Sequence, residues 1–120
     1  MKSKVERYLK TDPFVLYHSI EQVVLSQSIS YIRGVVDFID NSRLFFFELL
    51  NNQKVDKYRY HYQNKKGELI FRYDNAPHHK SLKNFPHHKH LPNRVVDSKK
   101  ISFEDVLDEI HNHILNSMVR

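Results

Sequence analysis

The sequence predicts an α+β fold: a meander of about five antiparallel strands, a short N-terminal helix, a long His-rich loop and a C-terminal helix packed on the sheet. Three observations carry this. Period-two alternation and β-formers run from Phe14 to Tyr73, whereas helix-start signals stand at the two ends of the chain. At 120 residues and 40% hydrophobic content, the chain is sized for a single domain, residues 1–120, with one modest core.

The first element opens on Ser3-Lys4-Val5-Glu6, which has the form of a capping box. A short helix follows with Val5, Tyr8 and Leu9 on one side, and Asp12-Pro13 ends it because the residue before proline is pushed out of the α region. The segment Ile20 to Ser28, rich in Val, Ile and Ser, reads as a strand. In the next, Tyr31 to Phe38, Ile32, Val36 and Phe38 share one face, with Tyr31, Arg33 and Asp37 on the other. A turn at Asp40-Asn41-Ser42 leads into Leu44 to Leu50, an apolar run that reads as a buried strand, broken by Asn51-Asn52.

The clearest hairpin joins Tyr58-Arg59-Tyr60-His61-Tyr62 to Leu69-Ile70-Phe71-Arg72-Tyr73 around Asn64-Lys65-Lys66-Gly67. A turn centred on Lys65-Lys66 pairs Tyr62 with Leu69, Tyr60 with Phe71 and Tyr58 with Tyr73, giving a largely aromatic core face. Arg59, His61, Ile70, Arg72 and Asp74 then share the opposite face. In that register Arg59 and Arg72 confront each other, a repulsion relieved by a bridging anion, by solvent, or by Asp74 and Asp56.

Residues 75–100 lack periodicity and contain Pro77, Pro86 and Pro92, so they read as a long loop that Leu82, Phe85 and Leu91 pin to the sheet. Ser102 then caps a second helix with Asp105 at its third position, and Phe103, Val106, Leu107, Ile110, Ile114 and Met118 form its apolar stripe.

Composition excludes several classes. Zero cysteines remove disulfides and thiolate metal sites and fit a reducing compartment. No apolar run approaches the roughly 18–20 residues of a membrane helix, and the N-terminus lacks a signal-peptide core, so a soluble cytoplasmic protein is expected. The net charge of +5 is unevenly placed. Residues 54–100 hold twelve Lys/Arg against four Asp/Glu, plus six of the nine histidines, while residues 101–120 are acidic. A basic field of this kind suits a polyanion, nucleic acid above all, although a solvated lysine-rich surface has the same composition.

Within the basic region Pro-His-His-Lys occurs twice, at Pro77–Lys80 and Pro86–Lys89, and His90 follows. Three chemistries compete for these histidines. A metal site needs His88 and His90, on one side of an extended segment, with Asp74 as a third ligand; the absence of thiolates and of H-E-x-x-H weighs against it. Acid–base cleavage of RNA needs a base for the 2′-OH, an acid for the leaving 5′-oxygen and cations for the phosphate. His79, His88 and His90 suit the proton roles, Arg72 holds the phosphate and Asp74 orients a histidine. Arg59, His61, His78, Lys80, His87 and Lys89 are then available for RNA contacts, with Tyr60 or Tyr73 for base stacking. In the third reading the histidines only satisfy buried carbonyls.

The stretches Tyr58–Gln63, Gly67–His79 and Phe85–His90, with Phe103–Ile110 behind them, resemble the TumE-like toxin family. The likeness is dense over residues 58–90 and loose before residue 50. It implies the toxin half of a two-gene type II toxin–antitoxin module, neutralised by an antitoxin partner that is usually a helix-turn-helix protein. Toxins of this size are mostly messenger-RNA endonucleases, so by analogy the expectation is a metal-independent endoribonuclease with an RNA substrate and no cofactor. A non-catalytic RNA or ribosome binder and a metal-dependent phosphodiesterase are the alternatives, and a homo-oligomer is compatible with all three.

Overall fold

The computed structural model describes residues 4–119. Helix α1 (Lys4–Thr11) precedes seven strands, β1 (Val15–Val24), β2 (Ile29–Phe38), β3 (Arg43–Asn51), β4 (Lys54–Gln63), β5 (Leu69–Asp74), β6 (His88–Leu91) and β7 (Arg94–Asp97), and α2 (Phe103–Met118) closes the chain. The strands form one antiparallel sheet in sequence order, so the meander is unbroken from β1 to β7. The α+β class holds with two more strands than the sequence reading gave. The Ser3–Glu6 capping box lies partly outside the described residues. No helix among the described residues is long and apolar enough to cross a membrane.

One face of the sheet is the core. Ile32, Val36 and Phe38 of β2, Leu44 and Phe46 of β3, Tyr58, Tyr60 and Tyr62 of β4, and Phe71 and Tyr73 of β5 are all buried there. They pack with Phe103, Val106, Leu107, Ile110 and Ile114 of α2 and with Val5 and Leu9 of α1. Two helices supply an apolar stripe for one face only, so the other face carries polar and half-exposed side chains. Gly34 makes the fit possible on β2: a Cβ there would lie 2.9 Å from two Phe46 ring carbons and 2.3 Å from the Ser19 carbonyl. The Phe46 ring fills that gap and meets Phe103 edge-on at 5.0 Å. Ser102 caps α2 through the expected reciprocal bonds with Asp105.

Several expectations need correction. The first strand starts earlier than Ile20, at Val15, and residues 25–28 turn the chain. β3 is not buried on both faces: Leu44, Phe46 and Glu48 are buried, whereas Phe45 is 37% exposed. Met118 is 63% exposed and outside the α2 stripe. The β4–β5 register is displaced by two residues, with Tyr60 opposite Tyr73 and Tyr62 opposite Phe71, after an irregularity at Tyr62/Gln63. Asn64 builds the longer turn, accepting from the Lys66 and Glu68 N–H groups, and Gly67 takes φ 82°. A displacement of two preserves both faces. It does remove the confrontation of arginines, since Arg59 now faces Asp74 and His61 faces Arg72.

The His-rich loop is shorter than residues 75–100. His88–Leu91 pairs with β5, and the two-residue turn Pro92-Asn93 returns the chain as β7. Proline at the first turn position matches the φ its ring imposes, so Pro92 belongs to a hairpin turn. Apart from residues 98–100, which lead towards α2, residues 75–87 are the irregular part of that span. They are held by polar contacts more than by Leu82 and Phe85, the latter 40% exposed. Asn75 accepts from the Tyr58 N–H and donates to the Asp56 carbonyl, and the Asn84 N–H donates to Asp97.

Glu48 is the anomaly of the core, a 5% exposed carboxyl that accepts from the Tyr60 hydroxyl at 2.5 Å. Desolvation raises its pKa, against the lowering effect of the Tyr60 bond. A raised carboxyl pKa contributes stability while the group is protonated, and that contribution is lost as pH climbs from the ordinary glutamate value of 4.5 through the folded value. Glu48→Gln keeps an acceptor for Tyr60 and removes the ionisation. Its melting temperature should match the wild type near pH 4 and exceed it by several degrees at pH 8, at roughly 4 °C per kcal/mol. Parallel melting curves across that range would show that Glu48 ionises without cost.

Candidate functional site

The site stands on the sheet face opposite the helices, where β4, β5 and β6 lie side by side. Across these strands one row reads His61–Arg72–His90 and the next reads Arg59–Asp74–His88. Strand alternation places all six on one face, and pairing brings them together from residues up to about thirty positions apart. Residues 75–87 cross over the end of this face. His79, in the left-handed conformation at φ 55°, presents its ring to both strand histidines. Its centroid lies 5.0 Å from that of His88 and 5.8 Å from that of His90, and those two are 4.9 Å apart. A non-glycine residue held at positive φ marks a place where surrounding structure dictates the backbone.

Asp74 is the hub. It is 6% exposed, and its Oδ1 accepts from the Ala76 N–H at 3.1 Å, which turns the chain out of β5. The same oxygen lies 2.8 Å from His88 Nε2, while Oδ2 lies 3.3 Å from Arg72 Nε and 3.4 Å from His90 Nε2. His88 is sealed at 1% exposure. Its Nδ1 lies 2.8 Å from the Pro86 carbonyl, an acceptor only, so Nδ1 carries the hydrogen. Neither His88 Nε2 nor Arg72 Nε, although close to Asp74, makes an aligned hydrogen bond among the described residues. Arg72 Nη2 stands 3.4 Å from His90 Nε2, and its side chain is 38% exposed. Burial lowers the His90 pKa, the Arg72 charge lowers it further, and Asp74 opposes both. His61 is likewise lowered, first by burial and then by Arg72 and Arg59, while its bond to Gln63 works the other way.

The residues expected at the site divide into two groups. Arg72, Asp74, His79, His88 and His90 converge, Arg59 and His61 border them along β4, and the exposed His78 and Lys80 flank His79 in the loop. Tyr73, His87 and Lys89 do not share the site: Tyr73 and Lys89 face the helix side of their strands, and His87, just before β6, turns to Tyr58 on that side. Tyr73 donates to Glu109 at 2.5 Å, and Lys89 donates to Glu109 at 2.8 Å. His87 Nδ1 meets the Tyr58 hydroxyl at 2.8 Å. Tyr60, fully buried and bonded to Glu48, stacks on no substrate. Glu109 of α2 escaped sequence reasoning, because a charged residue two turns into an amphipathic helix carries no local sign of a partner on β6. The Pro86 carbonyl escaped it too, since backbone acceptors leave no sequence signal.

An antiparallel sheet backed by helices on one side, with an Arg–Asp–His cluster on its free face, defines a small α+β protein. The chain belongs to the family described as Toxin TumE, whose model matches residues 5–117. It is accordingly the toxin of a toxin–antitoxin system, and a cognate antitoxin is its implied partner. No curated protein and no solved structure gives a significant match.

If Asp74 organises this corner, removing it strands the groups it holds. Asp74→Ala should cost about 2–4 kcal/mol in urea unfolding. Asp74→Asn, which retains an acceptor for the Ala76 N–H, should cost about half as much. An Asp74→Ala protein as stable as the wild type would remove Asp74 from that role.

Proposed function

We propose that this toxin is an endoribonuclease whose reaction centre is the cluster of Arg72, Asp74, His79, His88 and His90. The observation that carries the reading is the convergence of a half-exposed guanidinium and two imidazoles on one buried carboxylate, with the His79 ring against both imidazoles, on the free face of the protein's most basic region. Phosphodiester cleavage needs a cation for the developing negative charge on the phosphate oxygens and a centre that moves protons at the attacking and leaving oxygens. Arg72 suits the first requirement: its Nη groups reach the rim of the cluster, and the guanidinium fork matches two phosphate oxygens.

The proton chemistry falls to the imidazole centre. Substrate meets it through exposed His79 and half-buried His90, because His88 is sealed beneath them. Arg59 and His61, beside Asp74 and Arg72 on the same face, continue the site along β4, and exposed Lys80 follows His79 in the loop. These positions suit the backbone of a single-stranded RNA, to which phosphate contacts contribute salt-sensitive affinity.

Incubation of the purified protein with a defined messenger RNA should yield discrete fragments. Arg72→Ala should slow their appearance by about 10²–10³-fold with an unchanged circular dichroism spectrum, and should relieve growth arrest on expression. RNA left intact by the wild type, even where it is bound tightly at low salt, would replace the nuclease with a growth inhibitor that acts by occupancy.

A further inference from the structure

We propose that His79, His88 and His90, with Asp74, form a binding site for a divalent transition cation of the zinc type. The ligating atoms of the three histidines all lie within 4.8 Å of one another. Three atoms so spaced sit within about 2.8 Å of a common centre, against the roughly 2.0–2.1 Å of a zinc–imidazole bond. Small ring rotations close that difference, and His79, at the exposed end of the cluster, has room to make them.

His88 supplies the second, independent observation. Its Nε2 is buried, points into the cluster and has no aligned hydrogen bond among the described residues. Its other nitrogen is already committed as a donor to the Pro86 carbonyl. A metal-bound histidine has this arrangement: the outer N–H is fixed by a carbonyl, and the inner nitrogen keeps its lone pair for the ion. Asp74 Oδ1 lies 2.8 Å from His88 Nε2 but out of line with it, so the carboxylate leaves that nitrogen unsatisfied. A cation ligated by both atoms would use the lone pair that Asp74 does not reach. The donor set is imidazole nitrogen and carboxylate oxygen with no thiolate, which suits zinc, cobalt or nickel and disfavours magnesium and calcium. Arg72, 3.3 Å from Asp74 Oδ2, competes for the carboxylate, and its exposure lets it turn outward to a phosphate.

Chain spacing argued against a metal here, because adjacent His-His pairs rarely serve one ion and no ligand motif is present. Spacing says nothing about a set drawn from a loop residue and two alternate residues of a strand. The site itself is independent of the ribonuclease reading. The ion's role rests on that reading and modifies it: histidines that ligate the ion give up their own proton transfer, and the ion would polarise the phosphate and lower the pKa of a bound water that takes the proton role instead.

The test uses the full chain without a histidine tag, stripped with EDTA and then titrated with zinc against a chromogenic chelator. One zinc per chain should bind with a submicromolar Kd. His79→Ala, at an exposed position, should weaken binding by about 100-fold with an unchanged circular dichroism spectrum, and His90→Ala should do the same. His78→Ala should bind as the wild type does. No stoichiometric zinc, or zinc held equally by wild type, His79→Ala and His90→Ala, would overturn the site. Because binding is read without RNA, the two proposals fail separately. Zinc bound with RNA uncut removes the nuclease and leaves the metal site. RNA cut equally in EDTA by a protein that binds no zinc does the reverse.

Discussion

Period-two alternation along β4, β5 and β6 sends Tyr58, Tyr60, Tyr62, Phe71, Tyr73 and Lys89 to the helix side, and sends Arg59, His61, Arg72, Asp74, His88 and His90 to the other. The sheet has helices on one face only, so this sorting separates stability from chemistry. Aromatic pairs such as Tyr62–Phe71 at 5.2 Å and Phe71–Tyr73 at 5.2 Å add about 0.5–1.5 kcal/mol each beyond their burial. On the reverse of the same strands, polar groups form a defined array, with Asp74 and His88 buried and Arg59, His61, Arg72 and His90 half-buried or exposed around them.

The two faces are coupled through β6. Lys89 passes under α2 to Glu109, and its ammonium lies 4.9 Å from the Tyr73 ring centre and 5.4 Å from that of Phe71. Burial opposes the charge on Lys89, but the bonds to Glu109 and Tyr73 outweigh it, so its pKa ends above the ordinary lysine value. A charge-assisted bond on one side of a short strand fixes its register against β5. Register in turn decides that His88 meets Asp74 and His90 meets Arg72 on the other side. A slip of one residue would exchange His88 and His90 for His87 and Lys89. Glu109 is therefore tied to the site without touching it.

The core was legible where side chains obey a period. Ile32, Val36 and Phe38, the three tyrosines of β4, and Phe103 to Ile114 of α2 are where alternation and helical spacing put them. The β4–β5 faces were legible as well, although the pairing was displaced by two residues, since a face depends on parity and a register on turn length. Asn64 decided that length with its own side-chain bonds. The β6–β7 hairpin was not legible, because its strands are short, its outward residues are histidines, and its proline looked like loop punctuation.

The amino-acid sequence by itself determined which groups are present and which strand parity each occupies: a basic, cysteine-free chain with an aromatic face, a polar face and a run of histidines leading off it. The tertiary structure alone decided which histidines matter to one another. His78 and His79 are neighbours in the chain, yet only His79 turns its ring onto His88 and His90; His87 and His88 are neighbours too, and they face opposite sides of the sheet. The physical reason is that proximity in this cluster comes from cross-strand pairing and from one left-handed backbone turn. Neither can be computed from spacing along the chain.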